Sequence, residues 1–141
     1  MPVTFHTEKT KFNLKQKLKH KRWIISWIES QGAVCGQLAF IFTSNKELLS
    51  INQEYLNHNY NTDVITFDYT DGETISGDVF ISVEQVDINA KEYNSERGEE
   101  LRRVMAHGVI HLLGYDDASE EERLNMRKME NEALHLWLKL V

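Results

Sequence analysis

The sequence predicts an α+β fold in a single domain, with a mixed sheet of about four strands, four or five helices and a metal site on a central buried helix. Three observations point there. The 141 residues are the size of one ordinary domain, with no repeat, linker or low-complexity stretch, and the single proline, Pro2, marks no internal boundary. Strand-like and helix-like apolar patterns follow one another in mixed order rather than as a regular strand–helix repeat. Between residues 104 and 113 the only polar side chains are His107 and His111, so that helix is expected to be buried on nearly all sides.

Each element has its own signal. Residues 3–6 read as a short strand. Asn13 is a candidate helix cap with Gln16 at the third helical position, and the helix is expected to run to about Gln31, where Gly32 stops it. Its apolar residues are Leu14, Leu18, Ile24, Ile25 and Ile28, joined by Trp23 and Trp27. Residues 37–42, QLAFIF, read as a buried strand. Ser44 and Glu47 form a capping-box pattern for a helix ending near Tyr55. Strands are expected at 64–69 and 74–82, joined by an Asp71-Gly72 turn. Residues 83–93 and 96–113 suit helices, the second stopped by Gly114. Ser119 and Glu122 make another capping box for a final helix to about Leu138.

Composition narrows the function classes. No apolar run approaches the roughly 18–20 residues needed to span a bilayer, and the first residues lack a signal-peptide pattern. The lone cysteine, Cys35, excludes disulfide frameworks and multi-thiolate metal sites, and is expected to be a small buried hydrophobe. A reducing, cytoplasmic setting fits. The net charge of −6 argues at first against nucleic acid, but the charges are segregated. Residues 1–50 carry a net +5 and residues 51–100 a net −10. Seven cations lie between Lys9 and Arg22 with no acid among them, and Lys15, Lys19 and Arg22 are candidate contacts to an RNA backbone. The plainer reading of that run is a solvated helix face.

The segment with the most chemistry is VMAHGVIHLLGYDD, residues 104–117. His107 and His111, four residues apart on a helix, project on one side, separated by about 6 Å along the axis. Two rings so placed can meet at one divalent ion. The alternative is two independently hydrogen-bonded core histidines. An ion is favoured because it satisfies two buried ring nitrogens together. A third ligand is then needed. Gly114 lets the chain turn back, and Asp116 and Asp117 follow it before the last helix. A His₂Asp site with an open position is catalytic in type: its ion lowers the pKa of bound water to about 7 and polarises a phosphoryl or carbonyl oxygen. A plain turn with acids ahead of a helix N-terminus is the competing account of the aspartates.

HGVIHLLGYDD resembles the HGxLHLxGYDH signature of the YbeY family of bacterial rRNA-maturation proteins. NTDVITF (residues 61–67) resembles that family's PTDVLSF, and SGDVFIS (residues 76–82) its LGDIVIS. Order and spacing agree over about residues 45–137. The resemblance implies an α+β fold with a mixed sheet and one divalent metal, zinc in the first instance, held by three histidines. It also implies a single-strand-specific endoribonuclease that matures the 3′ end of small-subunit rRNA and serves ribosome quality control, with rRNA precursor and small ribosomal subunit as partners and no DNA or membrane. Carried over by position, His107 and His111 are the first two ligands and Asp117 the third.

Two positions depart from the family. Asp117 stands where the family has His; an anionic ligand weakens Lewis acidity and shifts preference toward harder ions such as Mn²⁺. Leu56 stands where the family has an arginine facing the metal cleft, and His58 is a weak candidate to compensate. Asp63 matches the aspartate of the TDV motif. It and Asp116 are candidates to orient ligands by hydrogen bonds, with turn capping as the alternative for Asp63. Asp78 has a similar double reading. His6, His20 and His135 are expected at the surface or in packing, and Trp23, Trp27 and Trp137 in the core or at its edge. Two other functions stay open. A zincin-like metallopeptidase shares the HxxxH spacing, but places Glu directly after the first His, where this chain has Gly108. A non-catalytic RNA- or ribosome-binding module with a structural metal is the other.

Overall fold

The computed structural model describes residues 2–56 and 62–141. The expected α+β architecture forms. In chain order the elements are β1 (Val3–Thr7), α1 (Lys17–Ser30), β2 (Val34–Thr43), α2 (Asn45–Tyr55), β3 (Val64–Asp68), β4 (Thr74–Ser82), α3 (Val83–Glu92), α4 (Arg97–Leu112) and α5 (Glu120–Lys139). The strands make one mixed sheet in the order β1-β2-β4-β3. The β1–β2 and β2–β4 pairs are parallel, and β3 pairs antiparallel with β4. The β3–β4 connection closes on paired backbone bonds between Asp71 and Thr74, around the turn the Asp-Gly pair predicts.

Alternation along β3 and β4 sorts the helices onto two faces. Ile65 lies opposite Phe80, and both join Leu48 and Ile51 of α2 in a small apolar cluster. Thr66 lies opposite Val79 on the other face, against α4. That second face carries the main core, where α1, α4 and α5 bury Trp23, Ile24, Val104, Met105, Val109, Ile110, Ala133 and Trp137. The helix over residues 104–113 is buried as expected, and it packs on β3, β4, α3 and α5.

Three local expectations are corrected. Asn13 caps no helix. α1 begins at Lys17 after Gln16, whose backbone is left-handed and which gives no side-chain cap. Leu14 is drawn into the core, and its burial outweighs the local capping preference. β2 is longer than 37–42, because β4 pairs with its less apolar beginning at Val34 and Cys35, while β1 joins only from Leu38 onward. Cys35 is half-buried at the edge of the core rather than enclosed, and its thiol is pushed up to about 11, mainly by burial and secondly by Glu29. The capping residues Ser44 and Ser119 do accept from the backbone N–H groups of Glu47 and Glu122, and at Ser119 the box is reciprocal.

Candidate metal centre

The centre begins with the way α4 lies on the sheet. Gly108 faces Val79. A Cβ there would stand 2.7 Å from Val79 Cγ1, so only glycine allows the helix this close. With Gly108 turned to the sheet, the neighbouring positions carry His107 and His111 toward the cleft beside β3. At the end of α4, Gly114 adopts a positive φ of 103°, natural only for glycine, and reverses the chain. The reversal brings Asp117 back over the two rings.

The ring nitrogens define what this geometry can hold. His111 Nδ1–H donates to the Tyr115 carbonyl at 2.9 Å. His107 Nδ1–H donates to Glu130 Oε2 at 2.7 Å. With both Nδ1 atoms occupied, the two Nε2 atoms face each other at 3.0 Å. Asp117 Oδ2 lies 3.2 Å from Nε2 of His107 and 3.6 Å from that of His111. Two nitrogen lone pairs this close repel unless a cation lies between them, and a carboxylate oxygen adds to the demand. A proton answers it for one pair, while a divalent ion answers it for all three atoms. The three ligand atoms lie within 4.8 Å of one another, so the residues fit one ion. Burial lowers the pKa of His107. The Glu130 hydrogen bond and the charges of Glu130, Asp117 and Asp63 outweigh it, so the pKa lies above the ordinary histidine value.

Behind His107 lies support that sequence reasoning missed. Glu130 of α5 is buried, and Arg103 holds its Oε1 at 3.0 Å while also binding Asn131 Oδ1 at 3.0 Å. Arg103, His107 and His111 form one i, i+4 row on α4. A signal for Glu130 was present: it interrupts the apolar stripe of Met126, Met129, Ala133 and Trp137 on an otherwise amphipathic helix.

The ligand atoms open onto a cleft of about 710 Å³ between the end of α2, β3 and the end of α4. Leu56, Asp63, Thr66, Asp116 and Asp117 help line it, and among the described lining residues there is no Lys or Arg. Leu56 therefore presents an apolar side chain at the rim. Asp63 takes a hydrogen bond from Asn89 at 3.2 Å, and its backbone carbonyl accepts from Ser82. Burial raises the Asp63 pKa, opposed by the nearby His107. Asp116 lines the cleft but stands outside the ligand trio. His58 lies outside the described residues.

Other predicted residues fall elsewhere. Asp78 accepts a bond from the Tyr69 hydroxyl at 3.3 Å across the β3–β4 pair. His6 and His135 are exposed, whereas His20 is buried against Trp23 and Trp137. Lys19 rests on the Trp137 ring, Arg22 binds the Val141 carbonyl, and Lys15 is exposed before α1.

The family profile described as Endoribonuclease YbeY matches residues 3–137. The chain belongs to the YbeY family. An Endoribonuclease YbeY of Bacteroides thetaiotaomicron is 41% identical over 134 residues, covering 95% of this chain and 98% of its own. One from Flavobacterium psychrophilum is 44% identical over 126 residues, covering 89% and 90%. A solution structure of a Thermotoga maritima protein matches with a TM-score of 0.66 at 25% identity, covering 97% of this chain and 92% of that one. YbeY membership agrees with the resemblance carried by the three sequence motifs, and with the sheet and helices described above.

Proposed function

We propose that the chain is a metal-dependent endoribonuclease that cuts single-stranded RNA, with His107, His111 and Asp117 holding one divalent ion. Family membership carries the endoribonuclease activity. The observation that supports the metal is the pair of Nε2 atoms 3.0 Å apart, their other nitrogens fixed by Glu130 and Tyr115, facing a carboxylate oxygen. A bound ion supplies Lewis acidity toward a phosphodiester. The chain's own residues do the rest. Glu130 and the Tyr115 carbonyl hold the Nδ1 protons, so both rings present lone pairs to one point. Asp117 adds an anionic oxygen, which tempers Lewis acidity and widens the choice from zinc to harder ions. The cleft of about 710 Å³ receives the unpaired strand, while the cations that hold its backbone come from the run between Lys9 and Arg22, with Lys15, Lys19 and Arg22 as contacts. Precursor rRNA on the small ribosomal subunit, in the cytoplasm, is the substrate this reading favours.

A metallopeptidase finds no support at position 108, which faces Val79 and carries no carboxylate. Leu56 at the cleft rim favours a second reading, an RNA-binding module whose metal is structural, because no described lining residue neutralises a phosphate there. One experiment separates these readings. Wild type and a His107→Ala/His111→Ala variant are assayed for bound metal and for cleavage of single-stranded RNA and casein, with and without chelator. The expected result is about one ion per chain and chelator-sensitive RNA cleavage in the wild type only. RNA binding without cleavage gives the module, and metal retained by the double variant removes the site.

A further inference from the structure

At the other end of α4 lies a second cavity, of about 420 Å³, that the metal chemistry does not use. Lys11 and Lys15 of the segment before α1 line it, with Arg97 and Arg102 of α4, and no Asp or Glu is among its described lining residues. In a chain of net charge −6 this is a concentrated positive site. It complements the metal cleft, whose described lining holds three aspartates and no cation.

The two arginines are held in place, while Lys11 and Lys15 are exposed at the mouth. The Arg102 guanidinium lies 4.2 Å over the Trp137 ring, and its Nε is buried without a hydrogen-bond partner among the described residues. Arg97 Nε is fixed by Asp87 Oδ1 at 2.6 Å, and its guanidinium lies over Phe12. Gly98, the second residue of α4, also lines the cavity, and the Glu96 cap position supplies no side-chain bond to the first turn. The amino end of the helix therefore borders the same space, with Glu99 and Glu100 of its first turn outside the lining. His20 forms part of the wall. Its ring is 3% exposed and Nδ1–H donates to the Gln16 carbonyl, so Nε2 carries a lone pair, has no partner among the described residues and offers no proton to an anion; the cations carry the site.

We propose that this cavity is a phosphate-binding subsite that takes the backbone of the substrate RNA away from the bond being cut. The proposal rests on the nuclease reading for the identity of the ligand, though not for its chemistry. Gly98 and His111 are separated by about 20 Å along α4 and by roughly half a turn around it. The subsite therefore holds a segment of RNA remote from the metal. It adds Arg97, Arg102 and the α4 amino end to the cations expected from the sequence.

The test measures binding of a single-stranded 20-nucleotide RNA in chelator, where cleavage plays no part. Fluorescence anisotropy is read over a range of salt concentrations. A Lys11→Ala/Lys15→Ala variant is expected to bind at least tenfold more weakly. Its salt slope should be shallower by about 1.4, for two phosphate contacts on a single strand. Gly98→Asp is the second variant. An acid in the first turn of a helix favours folding, so its melting temperature should stay level or rise while RNA affinity falls. Lys128→Ala/Lys139→Ala, exposed on α5, is the control and should change affinity less than twofold. Unchanged affinity and slope in both cavity variants overturn the subsite, whatever the enzyme cleaves. If the cavity variants lose RNA but wild type with metal cleaves none, the nuclease reading fails and the subsite stands. Titration with inorganic phosphate, followed at the Gly98 amide, separates the sources. A shift with phosphate but none with RNA assigns the cavity to the free anion and overturns the RNA assignment.

Discussion

At the residue scale, the centre depends on the group that touches His107 from behind. Glu130 fixes the proton on Nδ1 and thereby leaves Nε2 free to serve as the candidate ligand atom, and Arg103 in turn fixes Glu130. Outer partners of this kind typically change metal affinity by about 10–100-fold when removed. Glu130→Gln keeps the size but replaces the carboxylate with an amide that can turn its NH₂ toward the ring. Metal affinity by calorimetry is expected to fall by about that factor while the far-ultraviolet circular dichroism spectrum stays as in wild type. An unaltered affinity would mean that the ring is oriented by packing alone. The cluster of His107, His111 and Asp117 that could hold an ion was legible because its spacing is local: two histidines one turn apart and an aspartate just past a helix-ending glycine. Glu130 was less legible because it is 23 residues from His107. Only the tertiary packing of α5 on α4 brings the two together, although its place in an apolar stripe was a warning.

At the element scale, α4 has two conflicting demands at position 108. Replacing a mid-helix glycine by alanine ordinarily stabilises a helix by roughly 1 kcal/mol. Here the added methyl would stand 2.7 Å from Val79 Cγ1 in the packed core. Overpacking of this kind costs about 1–3 kcal/mol, so the clash wins. Gly108→Ala is expected to lower the urea midpoint and, by lifting α4 from the sheet, to weaken metal binding as well. A higher midpoint would show that the sheet yields easily and that the close approach is not required. The boundaries of α3, α4 and α5 were readable to within a residue or two, because caps and glycine stops are local chemistry. α1 was misplaced at its start for the opposite reason. Leu14 and the left-handed Gln16 are set by packing of the preceding segment, which overrides the preference of Asn13 for a cap.

At the scale of the whole molecule, net charge hid the arrangement that matters: acids around the metal cleft near one end of α4 and cations around the cavity at the other. The same cationic end makes folding sensitive to acid. His20 joins β1, α1 and α5, with its ring against Phe5, Trp23 and Trp137. Burial lowers its pKa to about 4, with Arg102 and Lys19 adding to the effect and the Gln16 and Lys15 backbone bonds opposing it. The unfolded chain takes up this proton near the ordinary value of about 6.5, and the folded chain does not until about pH 4. The unfolded state therefore binds more protons across that window, and stability present above pH 6.5 is lost as pH falls toward 4. The loss attributable to this one ring is at most roughly 3 kcal/mol. His20→Phe keeps an aromatic ring in the site and removes the titration. Urea unfolding of both proteins at pH 7 and pH 4.5 cancels the carboxylates they share. The variant is expected to gain on the wild type as pH falls, whatever its offset at pH 7. Parallel losses in the two proteins would show that the ring is protonated in the folded state and that its burial at this junction places no demand on it.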